Sequence, residues 1–287
     1  MIFVINGIRY HVDNWVTGGS LGPADPLKTP LLLLHGFTGS GGSWKELDHY
    51  WKGDFNIFAV DIIGHGKTDS PEDVAKYNIE AVADDLYALL LKLKIDQIDV
   101  LGYSMGGRLA LTFALKYPKK VRKLILESSS PGLVTTSERE SRRLQDEKLA
   151  CRIQNEGIEK FVDYWEDIPL FHSQKRLPES TRQRIRNERL RNCAKGLINS
   201  LRGMGTGAQP SWWNELQKLS NPVLFITGSI DTKFCLIAEK MQSKLKNGTW
   251  IEIEDCGHAI HVEKPEMFGT IVSEFLLYEK DDTCHSF

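Results

Sequence analysis

Short apolar runs, each bounded by turn residues, alternate with amphipathic stretches along much of the chain. Such runs favour strands that are buried on both faces, as in a parallel sheet, because side chains on both sides are hydrophobic. They occupy residues 31–34, 57–60, 97–101, 123–127, 221–227 and 250–253. Ahead of them, Asn6-Gly7 separates residues 3–5 from residues 9–15, which predicts an antiparallel hairpin.

Between these strands, apolar residues recur at the spacing of one helix face. Residues 81–93 carry such a stripe, and a second one begins at Leu109 and continues through Ala110 and Phe113. A further helix is expected over residues 265–278. Strands that alternate with helices at this interval predict an α/β fold with a mostly parallel sheet and helices on both faces.

The alternation is interrupted once, between the predicted strands 123–127 and 221–227. Residues 134–202 contain no strand-like run, and we expect helices over residues 139–156, 157–165 and 180–201. We interpret residues 132–210 as an inserted helical cap, or lid. Residues 1–131 and 211–287 then form the core that carries the cap.

Composition restricts the class of protein further. A chain of 287 residues with 41% hydrophobic and 26% charged residues is typical of a soluble globular protein. The net charge of −2 gives no reason to expect nucleic acid or an anionic membrane as a partner. No segment approaches the roughly 18 apolar residues that a membrane-spanning helix needs, and the amino terminus lacks a basic leader. The five scattered cysteines, without a CxxC pair, indicate reduced thiols and a cytoplasmic protein.

The chemistry of the chain is indicated by Gly102-Tyr103-Ser104-Met105-Gly106, which lies between a predicted strand and a predicted helix. A sharp turn at this junction forces Ser104 toward positive φ, so the residues two positions before and after it must be very small. Gly102 and Gly106 meet that requirement. The pattern is typical of a nucleophile elbow, in which the serine hydroxyl is exposed at the carboxyl edge of the sheet.

A serine hydroxyl needs a histidine for activation, and the histidine needs a carboxylate to orient it. His258 follows the last predicted strand, and Asp231 follows the strand 221–227, so both should lie at the same sheet edge as Ser104. We therefore predict a Ser104, His258 and Asp231 triad. Asp255 is the main alternative for the acid, and Asp61 is a weaker one.

A second loop, His35 to Ser40, follows the strand 31–34 and should also reach this edge. Its backbone N–H at Phe37, together with that of Met105, would form an oxyanion hole. The glycines between Asp61 and Asp69 lack the spacing of a phosphate-binding loop, which argues against nucleotide binding.

Arginine is concentrated in the predicted cap, which holds eleven of the fourteen arginines of the chain. Within residues 132–210, Lys and Arg exceed Asp and Glu by 15 to 11. Most of these side chains belong to solvated helix faces. Arg108, however, lies four residues after Ser104, about one helical turn from it. Because guanidinium groups bind carboxylates bidentately, Arg108 and one or two cap arginines suggest an acidic substrate with several carboxylates.

Taken together, these motifs resemble the 2-succinyl-6-hydroxy-2,4-cyclohexadiene-1-carboxylate synthase family of menaquinone biosynthesis. The resemblance runs from about residue 2 to residue 278, and the loop 18–30 and the tail 280–287 fall outside it. It rests on the elbow through Arg108, on the loop 35–40 and on five cap segments, at residues 130–133, 142–146, 165–171, 190–192 and 205–210.

This resemblance implies a lyase that uses neither a metal nor an organic cofactor. Its substrate would be 2-succinyl-5-enolpyruvyl-6-hydroxy-3-cyclohexene-1-carboxylate, a small molecule with three carboxylates, from which pyruvate is eliminated. Ser104, activated by His258 and Asp231, would act as a base on the proton α to the succinyl ketone. The N–H groups of Phe37 and Met105 would hold the enolate oxygen.

By matching position, the resemblance also implies a set of substrate-binding residues, namely Arg108, Arg142, Arg191, Tyr103 and Trp165. Arg143 or Arg139 could take the place of Arg142. Two alternatives remain: a carboxylesterase or carbon–carbon bond hydrolase of the same fold, and a non-catalytic hydrolase-like binding protein. The intact Ser, His and Asp argue against the latter. We expect a monomer or a small homo-oligomer.

Overall fold

The computed structural model describes residues 1–15 and 27–278, and these residues are organised around one eight-stranded sheet in the order β1-β2-β4-β3-β5-β6-β7-β8. The strands are β1 Ile2–Ile5, β2 Ile8–Trp15, β3 Thr29–Leu34, β4 Phe55–Val60, β5 Ile98–Tyr103, β6 Val121–Glu127, β7 Val223–Gly228 and β8 Gly248–Ile253. Strands β3 to β8 pair in parallel, whereas β1 pairs antiparallel with β2 and β2 pairs antiparallel with β4. The predicted mostly parallel sheet is therefore confirmed.

The amino-terminal hairpin forms at the predicted turn. Asn6 and Gly7 both adopt positive φ, 49° and 78°, as a tight two-residue turn of this kind requires. Residues 16–26 and 279–287, which include most of the predicted loop 18–30 and the tail 280–287, lie outside the described residues. The last residues of that predicted loop, Thr29 and Pro30, belong to β3.

Helices cover both faces of the sheet, as predicted. The described α-helices are α1 Asp48–Trp51, α2 Ile79–Leu93, α3 Met105–Lys116, α4 Thr136–Glu166, α5 Glu179–Leu190, α6 Ala194–Met204, α7 Thr232–Gln242, α8 Ile260–Glu263 and α9 Pro265–Leu277. Alternate residues of β3 point to opposite sides. Leu32 and Leu34 pack in the core that contains α2 and α3. Leu31 and Leu33 pack in the core that contains α1 and α9.

Helices α4, α5 and α6 lie between β6 and β7 in the chain, together with a 3₁₀ segment at Pro169–Arg176. They have a small apolar cluster of their own, which includes Ala150, Ile153, Phe161 and Leu197. Fully burying one such Ile, Leu or Phe side chain contributes about 1.5–3 kcal/mol, so the cluster holds the three helices together.

Helices α5 and α6 differ from the prediction, and the four-residue helices α1 and α8 were not predicted. The single helix expected over residues 180–201 is two helices, α5 and α6, that are separated by a turn at residues 191–193. The expected break at residue 157 does occur, because Gly157 adopts φ 83° within α4. Helix α7 was not predicted.

No helix in the described ranges is long and apolar enough to cross a membrane. Four cysteines fall within these ranges, and all four are free thiols: Cys151, Cys193, Cys235 and Cys256. Cys284 lies outside the described residues.

Candidate active site

Ser104 lies at the junction of β5 and α3 with φ 51° and ψ −105°. This conformation is strained for a residue with a side chain and costs on the order of 1–3 kcal/mol. A Cβ at Gly102 would collide with the backbone oxygen of Gly106, and a Cβ at Gly106 would collide with that of Leu34. The two glycines are therefore required by the close approach of backbone on both sides of the turn.

The side chains of Ser104, His258 and Asp231 meet at the carboxyl edge of the sheet. His258 Nε2 lies 3.0 Å from Ser104 Oγ, and His258 Nδ1 lies 2.6 Å from Asp231 Oδ2. Since the carboxylate can only accept, Nδ1 carries the proton and Nε2 is free to accept from the serine hydroxyl. The arrangement can therefore draw the proton from Ser104 and stabilise the imidazolium that results.

Neither alternative acid contacts His258. Asp255 is exposed and forms an ion pair of 2.6 Å with Arg176, which lowers the pKa of the Asp255 carboxyl. Asp61 is buried and accepts hydrogen bonds from the backbone N–H groups of Gly41 and Lys67. Its carboxylate thus holds two loops together, and Asp231 is the acid that orients the histidine.

Phe37 and Met105 both line the cavity beside Ser104. In the described part of the chain, the backbone N–H groups of these two residues form no hydrogen bond. Met105 is also the first residue of α3, where the helix dipole favours negative charge. Both N–H groups are therefore available to an oxygen that becomes negative during a reaction.

A buried histidine braces the loop that carries Phe37. His35 Nδ1 lies 2.8 Å from the carbonyl oxygen of Gly36, and its Nε2 accepts from the backbone N–H of Ile62 at 3.0 Å. Burial lowers the pKa of His35 to about 4, so the ring is neutral near pH 7 and can accept that bond. His35 thus has a bracing role and does not reach the triad.

The same loop is also held by residues at the end of α5 and in the turn that follows it. Asn192 Nδ2 donates to the carbonyl oxygen of Thr38 at 2.7 Å, and Asn192 Oδ1 accepts from the backbone N–H of Gly66 at 3.1 Å. Glu188 Oε1 accepts from the hydroxyls of Ser40 and Ser43. Glu188 and Asn192 therefore fix the position of the segment that carries the backbone N–H of Phe37.

We expect Asn192→Ala to lower kcat about tenfold with little change in KM. The substitution removes a hydrogen bond to Thr38, and each such buried bond contributes about 1 kcal/mol to holding the loop. Steady-state kinetics would measure the change, with Asn187→Ala as the control, because Asn187 is an exposed residue of α5, the helix that ends just before Asn192. An equal change in both variants would exclude a specific role for Asn192.

The triad opens into a cavity of about 200 Å³ between the sheet edge and the cap helices. Part of its wall is aromatic and includes Tyr103, Trp165 and Phe171. The wall also carries three basic side chains, Arg108, Arg142 and Lys233, and one acidic side chain, Asp146. The basic excess favours an anionic ligand.

Arg108 is the most deeply placed of these cations and is 8% exposed. Its Nη1 donates to the carbonyl oxygen of Met204 at 2.7 Å and to the side chain of Gln209. Burial lowers the pKa of Arg108 to about 10, which still leaves it charged near neutral pH. Arg142 Nε donates to Asp146 Oδ1 at 2.8 Å, so the carboxylate fixes the orientation of that guanidinium group.

The other arginines that the sequence suggested are placed differently. Arg191 is exposed at the end of α5 and is not part of the cavity wall. Arg143 donates to the carbonyl oxygen of Gly207 and Arg139 to the side chain of Thr136, so of the three candidates only Arg142 lines the cavity. The buried arginine near the end of α5 is Arg189, whose guanidinium lies over the ring of Phe171 in a neighbouring cleft.

Sequence reasoning missed Lys233 and Asn192. Lys233 follows the acid Asp231 by two residues, and this short distance along the chain could have indicated that Lys233 lies near the site. Among the described residues, no group of three or more His, Cys, Asp or Glu side chains is arranged to hold a metal ion.

Residues 29–265 match the family model described as the alpha/beta hydrolase fold. A protein of Bacillus subtilis (strain 168), provisionally named 2-succinyl-6-hydroxy-2,4-cyclohexadiene-1-carboxylate synthase, is 46% identical over 275 residues, which cover 96% of this chain and 97% of that protein. The synthase of the same name from Pectobacterium atrosepticum is 27% identical over 93% of this chain and its own full length.

Solved structures agree with these relatives. MenH from S. aureus is 34% identical and matches with a TM-score of 0.86 over 93% of this chain and 97% of its own. A thermophilic esterase from Thermogutta terrifontis, with malate bound, is 26% identical and matches with a TM-score of 0.80 over 96% and 97% of the two chains. The fold, the near full-length coverage and the 46% identity assign this chain to the α/β-hydrolase fold and, within it, to the 2-succinyl-6-hydroxy-2,4-cyclohexadiene-1-carboxylate synthase family.

Proposed function

We propose that the protein eliminates pyruvate from 2-succinyl-5-enolpyruvyl-6-hydroxy-3-cyclohexene-1-carboxylate, giving 2-succinyl-6-hydroxy-2,4-cyclohexadiene-1-carboxylate in menaquinone biosynthesis. The observation that carries this proposal is the pair of arginines, Arg108 and Arg142, on the wall of the cavity that adjoins Ser104. A hydrolase of neutral esters gains nothing from guanidinium groups on its cavity wall, whereas an enzyme whose substrate has three carboxylates does.

The first step is removal of a proton from carbon. His258 takes the hydroxyl proton of Ser104 across their 3.0 Å contact, and the serine oxygen takes the proton α to the succinyl ketone. Such a carbon acid is too weak for a serine alone, so the ketone oxygen must be stabilised as it becomes negative. The N–H groups of Phe37 and Met105 serve that purpose, each such donor being worth about 10²–10³ in rate.

The second step is the elimination itself. As the enolate reverts to the ketone, a new ring double bond forms at the carbon that lost the proton. The existing ring double bond moves by one position, and the carbon–oxygen bond to the enolpyruvyl group breaks, which gives the diene. The proton held on His258 neutralises the departing enolate oxygen, and the released enol becomes pyruvate in water. One C–H bond and one C–O bond are lost, so no water, oxidant or reductant is consumed.

Binding is assigned to the arginines and the aromatic wall. Arg108 and Arg142 bind substrate carboxylates, and Tyr103 and Trp165 pack against the ring. Asp146 holds Arg142 through its Nε, which leaves the terminal N–H groups of that guanidinium for a carboxylate. We do not assign Arg191 to the site, because it is exposed outside the cavity.

The direct test supplies the enolpyruvyl substrate and follows pyruvate with a coupled assay. We expect release that is dependent on enzyme and abolished by Ser104→Ala. The same preparation is then tested on short p-nitrophenyl esters. Rapid ester cleavage without pyruvate release would instead establish a carboxylesterase. The absence of both activities would favour a binding protein.

A further inference from the structure

Lys233 is the third cation on the cavity wall, and nothing in the reaction described above uses it. It is the second residue of α7 and follows the triad acid Asp231 by two positions. Its side chain is exposed, in contrast to that of Arg108, which is 8% exposed. A residue that is exposed and also lines the cavity must lie at the rim, between the cavity and solvent.

The positive charge of Lys233 has no ion-pair partner among the described residues. Within residues 1–15 and 27–278, Lys233 forms no ion pair or hydrogen bond, and its one recorded contact is with the ring of Phe234, 5.5 Å from Nζ. The first turn of a helix is also an unfavourable place for a cation, because the helix dipole is positive there. The local structure therefore gives no reason for a lysine at this position.

The contact with Phe234 places this charge close to the reacting groups. The ring of Phe234 lies 4.7 Å from that of His258, centroid to centroid, and both residues line the cavity. Arg108 is buried and anchored to Met204, and Arg142 is partly buried and partly neutralised by Asp146. The cavity thus offers two arginines that are held by protein partners and one unpaired ammonium group at its rim.

We propose that Lys233 binds the carboxylate of the enolpyruvyl group, the one that departs with pyruvate; this inference rests on the proposed function. The leaving group must pass from the cavity to solvent, and it does so across the rim, where Lys233 lies. A lysine ammonium is a strongly hydrated point charge on a flexible stem, which suits a carboxylate that has to be released. The planar forks of Arg108 and Arg142, which are held in place by protein partners, suit the two carboxylates that the product retains.

The test compares Lys233→Met and Lys233→Arg with the wild-type enzyme. We expect Lys233→Met to raise KM for the enolpyruvyl substrate about tenfold with kcat within twofold, and Lys233→Arg to restore most of the loss. The inhibition constant of the product, which lacks the enolpyruvyl carboxylate, should not change. Lys240→Met, an exposed lysine on the same helix, is the matched control and should match wild type throughout.

Two results would overturn the inference. If Lys233→Met left KM unchanged, Lys233 would not bind substrate. If it weakened product inhibition as much as it raised KM, Lys233 would bind a carboxylate that stays in the product. Failure of the proposed function is distinguishable from both results, since the wild-type enzyme would then release no pyruvate at all.

Discussion

Asp231→Asn should lower kcat by roughly 10²–10⁴ while leaving the melting temperature close to that of the wild type. An amide at this position can donate to His258 Nδ1, which favours the imidazole tautomer with its proton on Nε2. That tautomer cannot accept the hydroxyl proton of Ser104, although the 3.0 Å geometry would persist. Pyruvate release would measure the loss, and thermal unfolding would show that the fold is intact.

Asp255→Asn is the matched control, since Asp255 follows the same sheet edge and was the competing candidate for the acid. Its carboxylate forms an exposed pair with Arg176, and solvent screening leaves such pairs little effect on stability. We expect activity equal to wild type. A loss as large as that of Asp231→Asn would show that the acid is wrongly assigned.

Arg108→Met should lower kcat/KM about 10- to 100-fold and should also lower the melting temperature. Hydrogen bonds to charged groups contribute about 1.5–3 kcal/mol, so losing one to a substrate carboxylate accounts for the kinetic effect. The stability effect follows from the bonds of Arg108 to Met204 and Gln209, which connect α3 to the end of the cap. The kinetic constants and the unfolding temperature are therefore measured on the same samples.

Gln209→Ala separates these two roles. It removes one partner of Arg108 within the protein but keeps the positive charge in the cavity. We expect a lower melting temperature with kcat/KM within about threefold of wild type. Were Gln209→Ala to lower kcat/KM as far as Arg108→Met does, Arg108 would act only by anchoring the cap.

Much of the core fold was accessible from the sequence because its signals are local. The buried strands are continuous apolar runs in the sequence, and the pair Asn6-Gly7 predicts the hairpin turn at its own position. Helix α7 was missed because its apolar residues are not confined to one face, since Leu236 is exposed, and its amphipathic pattern is weaker than that of α2. The turn that separates α5 from α6 was missed because no Gly or Pro marks residues 191–193.

For the candidate site, the residues at strand ends could be anticipated and those on the cap could not. The position of Ser104, Asp231 or His258 follows from the strand before it, since parallel strands end at one edge. A cap residue depends on how its helix is rotated against the core. Consecutive helical residues differ by about 100°, so the step from Arg189 to Arg191 turns the side chain by about 200°. One residue is accordingly buried and the other exposed.

The order of strands in the sheet has a consequence for how the enzyme acquires activity as it folds. Phe37, Ser104, Asp231 and His258 follow β3, β5, β7 and β8, and β8 is an edge strand of the described sheet, in which it pairs only with β7. The contacts that bring these four residues together join segments from most of the chain, and contacts between residues that are far apart in sequence form slowly. A partly folded chain with native-like helices would therefore be inactive. In a refolding experiment, the return of pyruvate release should lag behind the return of helical circular dichroism.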